Sequence, residues 1–81
     1  MKDFLGQKLN AGDLVIYNGG VHAGCMDLCI ILRLGSSNNL ITNQGGYCSC
    51  LSAIKADHLI PHMSSIMQRR AETLRREYAD K

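Results

Sequence analysis

Short apolar runs separated by turn-forming residues occupy the first three quarters of the chain. The runs cover residues 14–17, 26–34, 40–42, 47–51 and 59–60. Glycine, asparagine and aspartate cluster between the runs, and these residues tolerate the backbone angles of tight turns. Short strands spaced in this way predict a small antiparallel β-structure, either a sandwich or a barrel.

The second and longest run predicts which face of its strand is buried. One alternate set of its positions is entirely aliphatic and consists of Leu28, Ile30, Leu32 and Leu34. The other set includes the charged residues Asp27 and Arg33. Because successive side chains of a strand point to opposite faces, we expect the aliphatic set to face the core. The third and fourth runs predict a hairpin closed by residues 43–46.

Residues 63–81 differ from the rest because they lack glycine and proline and are rich in helix formers. Ser65 and Gln68 have the spacing of a capping box, which predicts the start of a helix there. An apolar stripe with helical spacing follows and comprises Met67, Ala71, Leu74 and Tyr78. Because so short a helix is marginal alone, we expect the stripe to pack on the β-structure, on a target or on a second copy.

Length and composition fit one globular domain, with 81 residues of which 46% are hydrophobic and 20% charged. We expect residues 1–62 to form the β-structure and residues 63–81 to form a helix of the same domain. The formal net charge is only +2, a small excess for a protein that binds nucleic acid through phosphates.

Neither a signal peptide nor a membrane-spanning segment is expected from the sequence. The first residues lack the apolar stretch of a signal peptide, and the longest apolar run, residues 28–32, is too short to cross a bilayer. We therefore expect a cytoplasmic protein with no membrane partner.

Four cysteines are present, at positions 25, 29, 48 and 50. In the cytoplasm they would stay reduced, so they do not imply a disulfide framework. Their spacing does not match a usual zinc finger or ribbon, and Cys-x-x-Cys is absent. We interpret Cys25, Cys29, Cys48 and Cys50 as thiols that pack like small apolar residues, and we expect no cofactor. A metal site and a redox role remain the less favoured alternatives.

Two segments resemble small SH3-like barrel proteins of tailed bacteriophages. Residues 4–17 (FLGQKLNAGDLVIY) are similar to the opening of such barrels, and residues 54–61 (IKADHLIP) look like their end, where a helical turn leads into a closing strand. The resemblance implies a mainly β fold: a small SH3-like antiparallel barrel of about five strands, followed here by a C-terminal amphipathic helix. It also implies a binding groove lined by aromatic residues beside turns, here Tyr17 and Tyr47. Tyr17 could equally cover the core with its hydroxyl in water.

The sequence contains no recognisable catalytic motif. It lacks a Gly-x-Ser-x-Gly elbow, a phosphate-binding loop and a His-Glu-x-x-His pair, so we predict that the protein is not an enzyme. The arginines of the predicted helix suit an acidic partner, although Glu72 and Glu77 in the same segment weaken the case for phosphate.

We therefore predict a binding module that modulates a host or phage protein, for example as an inhibitor of a host enzyme or a defence system. The alternative is a nucleic-acid or nucleotide binder that uses the arginine-rich helix. A homodimer through that helix is a further alternative. The predicted binding residues are Tyr17, Tyr47, Met67, Arg69, Leu74, Arg75, Arg76 and Tyr78.

Overall fold

Five antiparallel strands and a C-terminal helix make up the computed structural model, which describes residues 1–18, 26–45 and 48–78. The strands are β1 (Leu14–Asn18), β2 (Met26–Leu34), β3 (Asn39–Thr42), β4 (Cys48–Ser49) and β5 (Ala53–Lys55), and the helix is α1 (Ser65–Tyr78). Two 3₁₀ turns, Cys50–Ser52 and Asp57–His62, flank β5. The predicted mainly β fold with a C-terminal helix is confirmed.

The strands form one sheet in the order β4-β3-β2-β1-β5. Within the described residues β4 and β5 do not pair with each other, so the sheet is open and the predicted closure into a barrel is wrong. The reason lies in β4, which is only two residues long before the chain turns at Cys50. The strand ends before it could extend along β5.

Both faces of the sheet carry a buried apolar cluster. The thiol cluster takes residues from all five strands and comprises Leu9, Val15, Cys29, Ile31, Leu40, Cys48, Cys50 and Ala53. The helix cluster lies where α1 packs on the other face and comprises Leu14, Leu28, Ile30, Ala56, Ala71 and Leu74. Because the two edge strands, β4 and β5, both contribute residues to the thiol cluster, the open sheet curves around it.

The burial predicted for β2 is correct for only half of the strand. Leu28 and Ile30 are buried, whereas Leu32 is 38% and Leu34 39% exposed. The pairing with β3 shifts register between Ile31 and Arg33, and an extra residue there breaks the alternation. The helix also covers only the first half of the strand, since its cluster contains neither of the exposed leucines.

One predicted strand and the predicted cap of the helix are also wrong. The run at residues 59–60 is not a strand but part of the second 3₁₀ turn, in which the N–H of Leu59 donates to the carbonyl of Ala56 at 2.9 Å. The helix is capped by Ser64 rather than Ser65, because the Ser64 hydroxyl accepts the N–H of Met67 at 3.3 Å. The predicted hairpin of β3 and β4 is present, with Leu40 opposite Cys48.

Candidate interaction surface

The apolar stripe of α1 is packed against the molecule's own sheet. Ala71 and Leu74 are 1% and 7% exposed, and Met67 and Tyr78 are half-buried beside the same cluster. Of the alternatives that the sequence left open, the structure places the stripe on the sheet. Met67, Leu74 and Tyr78 therefore pack on the core. The surface that α1 offers to a partner is its outer face, which is polar except for Ile66, 76% exposed.

The three predicted arginines of α1 have different surroundings. Arg75 donates to the carboxylate of Asp57 at 2.7 Å, and the other oxygen of that carboxylate accepts the N–H of Leu14 at 3.2 Å. Arg75 thus ties the helix to the second 3₁₀ turn and the start of β1. Arg76 lies 3.9 Å from Glu72 in an exposed pair of the kind that contributes little stability. Arg69 is exposed on the outer face.

Tyr17 lies against the thiol cluster and does not line an open groove. Its ring is partly buried there, in the cluster that contains Cys48 and Cys29. Burial raises the pKa of Tyr17, and the neighbouring sulfurs of Cys48 and Cys29 raise it further. The phenol stays neutral and packs as part of the core. Tyr47, the other predicted groove aromatic, lies outside the described residues.

The three described cysteines are buried together. Cys29, Cys48 and Cys50 are 0%, 3% and 1% exposed and are unpaired. Burial is the main cause that raises the pKa of Cys29 to about 11 and that of Cys48 to about 12. The negative charge of Asp27 adds to the effect for Cys29, and the unfavourable ionisation of several thiols side by side adds to it for Cys48. Both are thiols rather than nucleophilic thiolates at neutral pH.

No group of three metal-ligating side chains that could hold an ion occurs in the described ranges 1–18, 26–45 and 48–78. Cys25 lies outside those ranges. The buried position of the other three cysteines is what the interpretation as apolar packing residues requires.

A cleft of about 490 Å³ brings Arg75 and Tyr78 together with the turn before β1 and the centre of β2. Its remaining lining residues are Ala11, Gly12, Ile30, Ile31 and Leu32. The Arg75 guanidinium is already bound to Asp57, and the rest of the lining apart from Tyr78 is aliphatic or backbone. The cleft therefore lacks the convergent polar groups of a specific small-molecule site.

An N-terminal hairpin lies along the outer edge of β5. The sequence did not predict this hairpin. Lys2 and Lys8 pair across it, and the N–H of Asp3 donates to the carbonyl of Gln7 at 2.9 Å. Gly6 sits at the turn with φ of +80°, a conformation that glycine adopts without strain. The chain therefore doubles back within its first nine residues.

A buried carboxylate holds this turn in place. Asp3 is only 3% exposed. Its Oδ1 accepts the N–H groups of Leu5 at 2.9 Å and Gln7 at 2.7 Å, and its Oδ2 accepts the N–H of Lys55 at 2.7 Å and the Gln7 side-chain amide at 3.0 Å. Burial alone would raise the pKa of Asp3, but the hydrogen bonds together outweigh it and lower the pKa. Asp3 is thus an anion that joins the hairpin to β5.

The same turn carries apolar side chains into solvent. Phe4 is 68% and Leu5 62% exposed, although the Phe4 N–H donates to the carbonyl of Ala53 at 2.9 Å. Leu51, in the first 3₁₀ turn, is 59% exposed, and it lines an open groove of about 400 Å³ with Phe4, Ser52 and Ile54. We call Phe4, Leu5, Leu51 and Ile54 the N-terminal patch.

The sequence held one local signal for this patch. An apolar pair stands directly before the turn glycine, at Phe4, Leu5 and Gly6, whereas turns usually carry polar residues. Leu51 and Ile54 gave no such signal, because the fold alone brings them beside the hairpin.

A scan against protein families and searches of the curated proteins and of the solved structures each return no match. Among the described residues, no helix has both the length and the apolar character needed to cross a membrane.

Proposed function

We propose that this protein is a non-enzymatic protein-binding module that contacts its partner through the N-terminal patch. One observation carries the proposal: a turn fixed by a buried, fully hydrogen-bonded carboxylate holds Phe4 and Leu5 in solvent. Aromatic and large aliphatic side chains anchor protein interfaces. A turn that is already ordered loses less conformational entropy when it binds.

Three of the residues that the sequence favoured for binding make contacts within the molecule. Leu74 packs in the core, Arg75 joins the helix to the second 3₁₀ turn, and Tyr17 covers the thiol cluster. In the N-terminal patch three apolar side chains, Phe4, Leu5 and Leu51, are each more than half exposed. This distribution supports a contact surface at the hairpin and a supporting role for the helix.

The partner that we propose is a protein of the bacterial cytoplasm, in line with the resemblance to small phage barrel proteins. Buried, unpaired cysteines suit that compartment, where thiols stay reduced. A small domain that covers a functional surface of a host protein would act as an inhibitor without any chemistry of its own.

Site-specific photo-crosslinking tests the contact surface. Benzoylphenylalanine replaces Phe4 in one variant and the exposed helix residue Thr73 in the control, and both proteins are irradiated in bacterial cells. We expect a discrete protein adduct from position 4 and none from position 73. Adducts from position 73 alone, or from neither position, would contradict the proposal.

Polyanion binding by the polar face of α1 is the second candidate. Arg69 and Arg70 are exposed and form no ion pair within the described part of the chain, so their charges are available. An electrophoretic shift of single- or double-stranded DNA and of RNA at low salt would support it, provided that Arg69→Gln/Arg70→Gln abolishes the shift and that salt weakens it steeply. The absence of any shift at low salt would exclude it.

A further inference from the structure

We infer that the partner presents an acidic segment with one large apolar anchor to the N-terminal patch. The inference rests on the proposed function, because it specifies the chemistry of the partner that the patch would bind. It follows from the positive charges near the patch, from the apolar groove in it, and from the repulsion between the lysines of two copies of the same surface.

The accessible charges of the hairpin are all positive. Lys2 and Lys8 are exposed and lie opposite each other, and neither forms an ion pair within residues 1–18, 26–45 and 48–78. The single acidic residue of the hairpin, Asp3, is buried and its charge is met by four hydrogen bonds. Like charges opposite each other destabilise a hairpin, and a negatively charged partner would relieve this repulsion.

The neighbouring lysine does not add to this free charge. The Lys55 ammonium lies 3.6 Å from the Asp13 carboxylate and 3.4 Å from the carbonyl of Lys8. Its charge is balanced within the molecule. The positive rim that remains for a partner therefore consists of Lys2 and Lys8.

The apolar part of the patch includes an open groove of about 400 Å³ that is lined by Phe4, Leu51 and Ile54. One large aliphatic or aromatic side chain of a partner would contact all three residues there. Because a groove serves an inserted side chain and a bilayer needs none, it favours a protein segment over an anionic membrane.

A second copy of this chain is a poor occupant of the same groove. In a two-fold symmetric dimer each patch would face an identical patch. The unpaired lysines of both hairpins would then meet, and this repulsion favours a partner of opposite charge.

Selection from a yeast-displayed library of random peptides tests the inference. The bait is the full chain, and the enriched peptides are measured again against Phe4→Ser/Leu5→Ser, against Leu51→Ser and against Lys2→Glu/Lys8→Glu. The side chains at all five positions are exposed, so the substitutions leave the core unchanged. Circular dichroism verifies that each variant folds. The separate Leu51→Ser variant alters the other wall of the groove without changing the hairpin.

We expect enriched peptides with one large apolar residue flanked by aspartate or glutamate. Their affinity should fall at least about 10-fold in both apolar variants, in Lys2→Glu/Lys8→Glu and in 0.5 M NaCl. Peptides that need Phe4 and Leu5 but are neutral or basic would overturn the acidic partner and leave the proposed contact surface standing. Peptides that bind all variants equally, or no enrichment, would overturn both.

Two further measurements decide between the other occupants. Binding of vesicles containing phosphatidylglycerol that is lost in Phe4→Ser/Leu5→Ser would overturn the protein partner in favour of a membrane. A dimer in light scattering that the same variant dissociates would overturn it in favour of a second copy. The inference requires a monomer and no vesicle binding.

Discussion

The two ends of the chain distribute their side chains in opposite ways. In α1 the apolar residues Ala71 and Leu74 are buried and the arginines face solvent. In the N-terminal turn the charged residue Asp3 is buried, while Phe4 and Leu5 are more than half exposed. Except at Ile66, which is 76% exposed, the helix follows the usual rule of burial, and the turn reverses it.

This contrast separates residues that stabilise the fold from residues available for binding. The sequence predicts the amphipathic helix as a binding element, yet the apolar stripe of the helix packs on the sheet. The turn holds a buried charge, which is costly unless hydrogen bonds compensate it, and so keeps apolar side chains in water. An arrangement that gains nothing for the core at Phe4 and Leu5 is understandable if those residues contact a partner.

The largest expected effect comes from making the same substitution at each end. Leu74→Ala should lower the free energy of unfolding by about 2–5 kcal/mol, because it leaves a cavity in the helix cluster. Leu5→Ala should change it by less than about 0.5 kcal/mol, because the side chain is exposed. Urea denaturation measures both. If Leu5→Ala destabilised the protein as much as Leu74→Ala, the contrast between the two ends would be lost.

Removal of the buried charge should have the next largest effect. Asp3→Asn should cost about 1–3 kcal/mol, because both carboxylate oxygens accept hydrogen bonds and either orientation of the amide puts its nitrogen against donors. Asp13→Asn, at an acidic residue that is more exposed and forms an ion pair with Lys55, serves as the control and should cost less. Equal losses in the two variants, by urea denaturation, would show that Asp3 has no special role.

The pH dependence of stability follows from the lowered pKa of Asp3. The carboxyl has a lower pKa in the folded protein than its ordinary value of 3.8. Its contribution is therefore fully present above that value and is lost as the pH falls through the lower folded-state pKa. Thermal melts between pH 2 and 6 should show a shallower acid decline for Asp3→Asn than for the unmodified protein. Identical declines would contradict the assignment.

The smallest effect on stability is expected from the ion pair that joins α1 to the second 3₁₀ turn. Arg75→Met should cost about 0.2–1 kcal/mol, because its bond to Asp57 is half-exposed to water. Arg76→Met, whose pair with Glu72 is longer and more exposed, is the matched control and should cost less. Denaturation curves in low and high salt compare them. A larger loss for Arg76→Met would contradict the structure at this contact.

The periodic parts of the molecule were predictable from the sequence, and the contacts between distant segments were not. The spacing of Met67, Ala71 and Leu74 predicts the buried helix face, because that face depends on local geometry alone. Whether the face would meet the sheet or a partner could not be predicted, since spacing does not identify what it packs against. The bulge beside Leu32 likewise breaks an alternation that the residues themselves continue.

The candidate site could not be predicted either, because it also depends on contacts between segments that are distant in the sequence. A short acidic side chain near a terminus is expected in solvent. Asp3 is buried because the N–H of Lys55, 52 residues later in the chain, donates to it. The groove is also lined by Leu51, from the 3₁₀ turn that precedes β5, and only the fold brings this residue near the hairpin.

Amide hydrogen exchange in the native protein tests the central claim, that a buried Asp3 carboxylate fixes the turn beneath Phe4 and Leu5. The N–H groups of Leu5, Gln7 and Lys55 all donate to that carboxylate. Each should exchange at least about 100-fold more slowly than in an unstructured peptide. Exchange of all three at the unstructured rate, while Val15 in the interior strand β1 stays protected, would contradict the account.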